Sequence, residues 1–508
     1  MFSPPFSYQF WVLKENKMKV TFVSCGAEGL AVQYLSAALK NAQHQTELTF
    51  DPTLFNDKVF LNHPKLAQIF NYTNHLIGDV IDSQPDLVAI SCVTDTYQWA
   101  VQVAKGVKSN LSVPIILGGI HPTLVSDKVI SCRYIDMVCI GEGEEALVEL
   151  ANSLEAGKKN TKIANIWFKN HGRLIKNPPR ILIQNLDRLP FPDRTIYEPF
   201  INTRDSYLAM SSRGCVYNCS YCFNNAMRKI YAHKGNYLRR RTPENFVEEL
   251  ERANRKYDYQ ILKIYDDIFT YDLNWLEKFT RLYKKKVNKP YFCLSHPKFM
   301  SKDAVKLLKQ SNCSWVQIGI ESLNEQTRKI DCERVESNEE IEKMIKTLDR
   351  HHLAYELDHI FGLPHDQEED YQRAAFFYKN CRSLLKVNTN ILSYIPKTQV
   401  IKRGIEAQKI RRQDIAKIEA GKEASRVSTG SERNKKQLEM YQGMIVVYKA
   451  IKIIPRPVLS LILKHRLYRY LRFFDPWLGY FVRFLSADKI DWLYVKQNIR
   501  FLIWRLTK

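Results

Sequence analysis

Cysteine is scarce in this chain, at eleven of 508 residues. That is far below the density of a disulfide-stapled secreted scaffold, and the odd count points to reduced thiols. Glycine and proline are also few, at 19 and 20, which excludes collagen-like repeats and low-complexity disorder. No stretch reads as a spanning helix. The longest run without Asp, Glu, Lys or Arg, Ser109–Ser126, holds two prolines and two glycines. The opening MFSPPFSYQFWVLKENK has no basic segment ahead of an apolar core, so it does not read as a secretory leader. It reads as a tail or an over-extended start, because Met18 directly precedes a strand. Acidic residues are outnumbered: 76 Lys and Arg face 54 Asp and Glu, a formal charge of +22. That balance bears on partners and solubility, not on fold. A hydrophobic share of 45% is globular usage, and the length predicts about three domains. A cytosolic protein is expected.

Also missing is a Gly-x-Gly-x-x-Gly after the first strand, which argues against a nicotinamide or flavin cofactor. The first third instead alternates strand and helix. Strands are predicted at Lys19–Cys25, Thr46–Phe50, Asp86–Cys92, Pro114–Gly118 and Asp136–Ile140, with helices at Tyr97–Val107 and from Glu144. Short apolar strands separated by helices imply a doubly wound parallel sheet, an α/β fold. Ligands bind such sheets at the carboxyl ends of the strands. The residues there are Ser91 and Thr94, then Gly118, Gly119, His121 and Pro122, then Gly141, Glu142, Gly143 and Glu144. One such loop alone would read as a tight turn; three at one edge favour a site.

The middle of the chain carries SSRGCVYNCSYCFN, Ser211–Asn224, with Cys215, Cys219 and Cys222 at x3 and x2 spacing. Chance would place three cysteines at a fixed spacing in about 0.5% of chains of this composition. A structural zinc site needs four protein ligands and only three are local, with His233 a distant fourth. Three thiolates on an iron–sulfur cluster leave one iron free for a chelating small molecule. Downstream, strands are predicted at Tyr207–Ser211, Ile261–Asp266, Tyr291–Ser295, Trp315–Glu321, Tyr355–Phe361 and Asn388–Tyr394. Helices at Glu244–Tyr257, Leu273–Lys285, Asp303–Lys309 and Glu339–His351 lie between them. Six such units make an open (β/α)6 barrel with active residues at the strand ends. Cys293, Cys313 and Cys381 read as core packing, and His296-Pro297 ends the third strand, where it could touch substrate.

The SCVT, GGIHPT and GEGE loops, followed by Cys-x3-Cys-x-aromatic-Cys with Tyr221 as the aromatic, resemble radical S-adenosylmethionine enzymes that carry a cobalamin-binding domain. The resemblance implies a [4Fe-4S] cluster on Cys215, Cys219 and Cys222, with S-adenosylmethionine chelating the open iron. It implies that Asp266 and Asp267 meet the methionine amino group, though the family's glycine pair is absent there. Glu321, in Gly319-Ile320-Glu321-Ser322, would hold a ribose hydroxyl. Phe361-Gly362-Leu363-Pro364 and Tyr394 resemble adenine-side motifs. Cobalamin would sit on the N-terminal loops without a histidine ligand, because no Asp-x-His-x-x-Gly is present and His44 and His121 lack that context. The implied reaction splits S-adenosylmethionine to a 5′-deoxyadenosyl radical, which abstracts hydrogen from an unactivated carbon before a methyl group arrives from methylcobalamin.

This places an N-terminal extension at 1–18, a cobalamin domain at 19–185, a proline-punctuated linker at 186–200, the barrel at 201–400 and a basic, mostly helical region at 401–508. In that last region Gly421–Lys436 is expected to be a mobile loop or lid. Ser460–Phe474 is expected to form an amphipathic helix, with Leu463, Leu467, Tyr470, Leu471 and Phe474 on one face and Arg466, Arg469 and Arg472 on another. Such a helix can lie on an anionic membrane or pack on the barrel. Expected partners are a small molecule, lipid-like by the tail's character, an electron donor such as flavodoxin or ferredoxin, and an anionic membrane surface. Nucleic acid is not expected, because no binding motif accompanies the charge. Two other readings stay open: a radical enzyme ending in cyclisation, rearrangement or oxidation with an accessory or vestigial cobalamin domain, and a non-catalytic zinc protein with a basic surface. A tRNA methylthiotransferase is disfavoured, because Cys25, Cys92, Cys132 and Cys139 do not form that family's second cluster pattern.

Overall fold

The computed structural model describes residues 17–56, 63–158, 160–170, 172–422, 432–471 and 489–507. The chain forms two compact units. The first gathers residues up to Asp51, Tyr72–Arg180 and Leu189–Tyr197. The second gathers Pro52–Asn71, Ile181–Arg188 and everything from Glu198.

The first unit is built on a seven-stranded sheet. Its strands are β1 (Lys19–Cys25), β2 (Gln45–Asp51), β3 (Leu87–Ser91), β4 (Ile115–Gly118), β5 (Met137–Cys139), β6 (Ile166–Asn170) and β7 (Arg173–Lys176), in the order β2-β1-β3-β4-β5-β6-β7. Strands β1 to β5 pair in parallel. The five central residues of β1 are all buried, as a strand covered by helices on both faces requires. The helix Tyr97–Asn110 buries Ala100, Val103, Ala104 and Val107, one side of a 3.6-residue period. One departure from the purely parallel expectation is the antiparallel hairpin β6–β7. Strand β6 alternates buried and open positions and β7 has none buried, so the sheet has a one-sided end there. Order reverses about β1, which lies between β2 and β3, and this opens a crevice at the carboxyl ends of β1 and β3.

In the second unit β8 (Tyr207–Ala209) is followed by a short ladder of β9 (Ser212–Arg213) with β10 (Arg239–Arg240). Then come β11 (Leu262–Ile264), β12 (Tyr291–Ser295), β13 (Cys313–Glu321), β14 (Ala354–Phe361) and β15 (Leu384–Ile391). Six of these form one parallel sheet in sequential order, β8 to β15. Six sequential parallel strands joined by helices are an open, three-quarter (β/α)6 barrel, as expected. The helix starts follow local chemistry. Thr242, Asp272, Ser301 and Ser337 each accept a hydrogen bond from a backbone N–H in the first turn. Glu340 returns the bond to Ser337. The helices pack a single apolar layer against the sheet, with Phe246, Leu250, Leu276, Phe279, Leu308 and Leu348 fully buried.

The C-terminal region departs from expectation. Ser460–Phe474 is not one helix: Arg456–Lys464 and Tyr468–Leu471 are separate helices. Arg466 between them has φ +52, a left-handed turn that rotates the apolar face. Leu463 and Tyr468 are therefore buried, while Leu467 and Tyr470 are exposed. The arginines are also less free than a basic surface face implies, since Arg469 pairs with Glu368 at 2.7 Å and Arg466 with Glu369 at 3.4 Å. Arg472 and Phe474 lie outside the described residues, as do 1–16 of the N-terminal extension and 423–431 of the expected loop. A helix already runs from Glu432 to Lys449. Among the described residues no helix is long and apolar enough to cross a membrane.

Gly119 shows how tightly the first sheet edge is built. Its φ is +108, and a Cβ there would stand 2.5 Å from the Cys92 carbonyl oxygen. Gly119→Ala is expected to cost about 3 kcal/mol from backbone strain and clash together. It should lower the first urea midpoint of the full chain; an unchanged midpoint would show that the edge relaxes around the methyl group.

Candidate functional site

The cysteine loop leaves β9 at Gly214 and enters the helix Phe223–Ile230, with Cys222 at its N-cap. Gly214 has φ +85, and a Cβ there would stand 2.4 Å from the Tyr237 carbonyl, so the loop's entry requires glycine. Cys215, Cys219 and Cys222 are half-buried, whereas Cys293, Cys313, Cys332 and Cys381 are buried. The loop is braced from several sides. The Arg228 guanidinium donates to the carbonyls of Cys215 and Tyr217. Asn225 donates to Asn218 O at 3.2 Å, and the Ser220 N–H to Cys332 O at 3.1 Å. The Ser220 hydroxyl donates to Asp331 O. Burial pushes the Cys219 and Cys222 thiols up to about 12 and raises Cys215 as well. The loop thus holds neutral thiols, which a metal would deprotonate on binding.

The donor set fits a multi-iron cluster better than a single ion. Among the described residues no three His, Cys, Asp or Glu side chains close on one point. Four-coordinate zinc needs such closure, whereas a cluster takes thiolates on separate irons. His233, the distant candidate for a fourth zinc ligand, is exposed.

The strand-end residues divide into two groups. Asp266 is fully buried, and its carboxylate accepts from Ser211 N at 2.6 Å, Ser212 Oγ at 2.7 Å and the Ser211 hydroxyl, with Arg240 at 3.6 Å. Its oxygens are engaged in holding the chain just ahead of the cysteines. Asp267 instead accepts one bond, from Asn224 at 3.1 Å, and its side chain opens on solvent. Desolvation in the cleft, with Asp266 adjacent, pushes its carboxyl up to about 6 despite Asn224.

Glu321 ends β13 with φ +69, and its Oε1 accepts from Tyr221 Oη at 2.9 Å and Arg334 at 3.0 Å. Burial pushes it up to about 7 against the pull of Arg334. Arg334, itself buried, also donates to Gly319 O at 2.7 Å and Glu336 at 2.6 Å. Tyr221 therefore joins the cysteine loop to the end of β13. Ser322 donates to Asp366 at 3.0 Å, and the Gly362 N–H to the Tyr371 hydroxyl at 3.0 Å. Tyr394 is buried among Cys332, Leu363 and Val400, with Tyr221 packed against that cluster. Its hydroxyl has no partner among the described residues. His296 stacks on Tyr217 with ring centroids 4.0 Å apart. Burial, with Arg334 nearby, pushes it down to about 2, so the ring is neutral. Sequence reasoning gave no role to Asn224, the last residue of the quoted cysteine segment, or to Arg334 and Glu336, which lie in no recognisable motif.

In the first unit Ser91, Gly118, Gly119, Gly141, Glu142 and Gly143 form a half-exposed band along the carboxyl edge, joined by Cys25 and Gly26 at the end of β1. The last two carried no sequence signal beyond ending a strand. Thr94 and His121 lie beneath the band, not on it. His121 has no exposed surface, bonds Thr94 at 3.2 Å and sits against Tyr97 at 4.4 Å. Burial pushes it down to about 4. His44 is buried against Asn152 at 2.9 Å, so neither histidine presents a ligand nitrogen at the surface. Thr123 ties two glycine loops, accepting from Gly141 N at 2.9 Å and donating to Gly119 O at 2.7 Å.

Comparison with known proteins agrees with both units. Residues 210–378 match the Radical SAM superfamily and residues 26–151 the B12 binding domain. An uncharacterized methyltransferase of Pyrococcus horikoshii is 27% identical over 301 residues, 58% of this chain and 64% of that protein. The chain spans less than two thirds of the curated relatives it matches. Among solved structures, the cobalamin-dependent S-adenosylmethionine radical enzyme OxsB superposes with TM-score 0.66 at 16% identity, covering 96% of this chain and 75% of that one. The radical S-adenosylmethionine methyltransferase TsrM of Kitasatospora setae gives 0.60 at 15%, covering 77% and 78%. At such identities the structural likeness speaks for the fold.

Asp366, which holds Ser322, is pushed up to about 8 by burial from an ordinary 3.8. The folded chain then keeps a proton that the unfolded chain releases, so this group's contribution falls as pH rises from 3.8 towards 8. Asp366→Asn should flatten that decline, read as urea midpoints at several pH values across the window. An unaltered slope would place the titration elsewhere.

Proposed function

The chain belongs to the radical S-adenosylmethionine enzymes that carry an N-terminal B12-binding domain, and from that membership we propose that it transfers a methyl group to an unactivated carbon of a small molecule. The observation that carries the reading is the braced loop of three half-buried thiols beside the strand ends of a partial (β/α)6 barrel, with a glycine-lined sheet edge in the other unit. When bound, the cluster supplies the electron that splits S-adenosylmethionine to methionine and a 5′-deoxyadenosyl radical, and cobalamin supplies the methyl carrier.

The chain's own residues hold and orient these groups. Cys215, Cys219 and Cys222 are the cluster ligands. Asp267, whose Oδ1 takes no hydrogen bond from the described residues, receives the methionine ammonium, and that cation would draw its carboxyl back down. Glu321 accepts ribose hydroxyls, strengthened as an acceptor by its charge once Arg334 offsets it. Gly319, Ser322, Gly362 and Tyr394 shape the nucleoside side. Gly118, Gly119, Gly141 and Gly143 let a broad corrin ring approach backbone, with Ser91 and Glu142 at the rim. A reductant of the flavodoxin or ferredoxin kind supplies the electron.

Anaerobic reconstitution followed by metal and corrinoid analysis tests this. About four irons per chain are expected, lost in Cys219→Ala, together with bound corrinoid. Turnover should release S-adenosylhomocysteine and 5′-deoxyadenosine alongside methylated product. 5′-Deoxyadenosine without the other two would move the reading to cyclisation, rearrangement or oxidation. Zinc in place of iron would end it.

A further inference from the structure

Strand alternation gives the six-stranded sheet a second face, opposite the helices. Across the paired registers, Lys263, Phe292, Trp315 and Ala354 form one row, Leu294, Gln317 and Glu356 the next, and Gly319, Asp358 and Asn388 a third. The first row is an aromatic floor. Phe292 and Trp315 stack at 5.1 Å and 6°, and Leu493 of the helix Lys489–Thr507 closes against them. The rows above it are polar, and their hydrogen bonds are lopsided.

The donors on this face are already committed. Gln317 gives its N–H groups to both oxygens of Asp358, at 2.9 and 3.0 Å. Asn388 gives its own to Asp358 at 2.9 Å and Glu356 at 2.8 Å. Lys386 lies 3.6 Å from Glu356, Lys263 is partnered too, and Arg334 serves Glu321, Glu336 and Gly319. Acceptors are left over. With both amide nitrogens turned to carboxylates, the carbonyl oxygens of Gln317 and Asn388 point elsewhere and take no hydrogen bond from the described residues. At the same edge Glu336 is 2% exposed, and its Oε2 has no hydrogen-bond partner among the described residues. It stands 3.7 Å from His296 Nε2, which is likewise unpartnered. Tyr265 adds one exposed hydroxyl able to donate or accept.

An acceptor surplus over an aromatic floor selects its own complement. A ligand bringing N–H groups satisfies acceptors that otherwise have no donor, whereas a carboxylate would meet Asp358 and Glu356 as like charges. Resting on the functional reading above, we propose that the substrate is a small cationic amine, its apolar part on Tyr265 and Leu294, which the buried Phe292–Trp315 stack supports, and its ammonium among Asp358, Gln317 and Asn388. The lipid-like occupant expected from the tail does not suit this face, because an acyl chain would leave the acceptors unsatisfied. Burial raises the Asp358 carboxyl, and an arriving ammonium would relieve that strain.

The test is binding to the reconstituted full chain by calorimetry, using 2-phenylethylamine, 3-phenylpropionate and decanoate as probes. The amine should bind at least about tenfold tighter than the propionate. Asp358→Asn should erase that preference. Gln317→Leu, which keeps the charge pattern, should weaken the amine several-fold and supplies the answer if Asp358→Asn does not fold. Equal or tighter binding of the propionate, decanoate in the amine's place, no amine binding at millimolar concentration, or a preference untouched by both variants would each overturn the proposal. Iron content and 5′-deoxyadenosine formation, read on the same preparations, report the functional reading separately. An amine preference in a chain without iron would sink that reading and leave the cleft assignment standing.

Discussion

The buried guanidinium of Arg334 is the constraint on which the second unit's site depends. A cation with 3% side-chain exposure is tolerable only if its N–H groups are all directed at acceptors, and here they meet Glu321, Glu336 and the Gly319 carbonyl. Each partner is in turn committed elsewhere. Glu321 takes the Tyr221 hydroxyl and so reaches the cysteine loop, and Gly319 lies in register with Asp358 on the next strand. The left-handed backbone at Glu321 persists because this network over-determines it. One arginine thereby sets where the β13 carboxylate stands relative to the thiols and shares in the charge balance of the inner face.

The first unit reaches its site by a different route. Its rim is almost entirely backbone, supplied by glycine loops, and the side chains that matter lie one layer down. Thr123 couples two of these loops, and His121 with Thr94 and Tyr97 fills the space beneath them. A rim made of backbone places few demands on residue type beyond small size, so a large ring can be accommodated without a dedicated ligand side chain.

What was legible in the sequence follows the range of the interactions. Strands such as Lys19–Cys25 and Tyr291–Ser295 were readable to the residue because β-branched and aromatic runs carry a local signal. The three cysteines were readable because their spacing is local chemistry. Asp266 and Asp267 were not separable, since adjacent residues at a strand end point opposite ways and only the fold shows which one meets Ser211 and Ser212. Arg334 was invisible because its role is set by Glu321 and Gly319 on β13, and Glu336 because its role is to share that guanidinium. The break at Arg466 was missed because heptad-like spacing assumes a continuous helix, and a single left-handed residue cancels it.

An open (β/α)6 barrel has two free borders, unlike a closed one, and the backbone groups along them are templates for pairing with another chain. One border, β8, is only three residues long. The other, β15, is eight residues long but carries Lys386, Asn388 and Asn390, and the helix Glu432–Lys449 lies against it. In the first sheet the terminal strand β7 is framed by Arg173 and Lys176. Each of these three borders is thus short, covered or basic, and with a formal charge of +22 two copies meeting edge to edge would repel. The basic surplus and the short or covered ends thus act in the same direction, against pairing of a free edge with another chain.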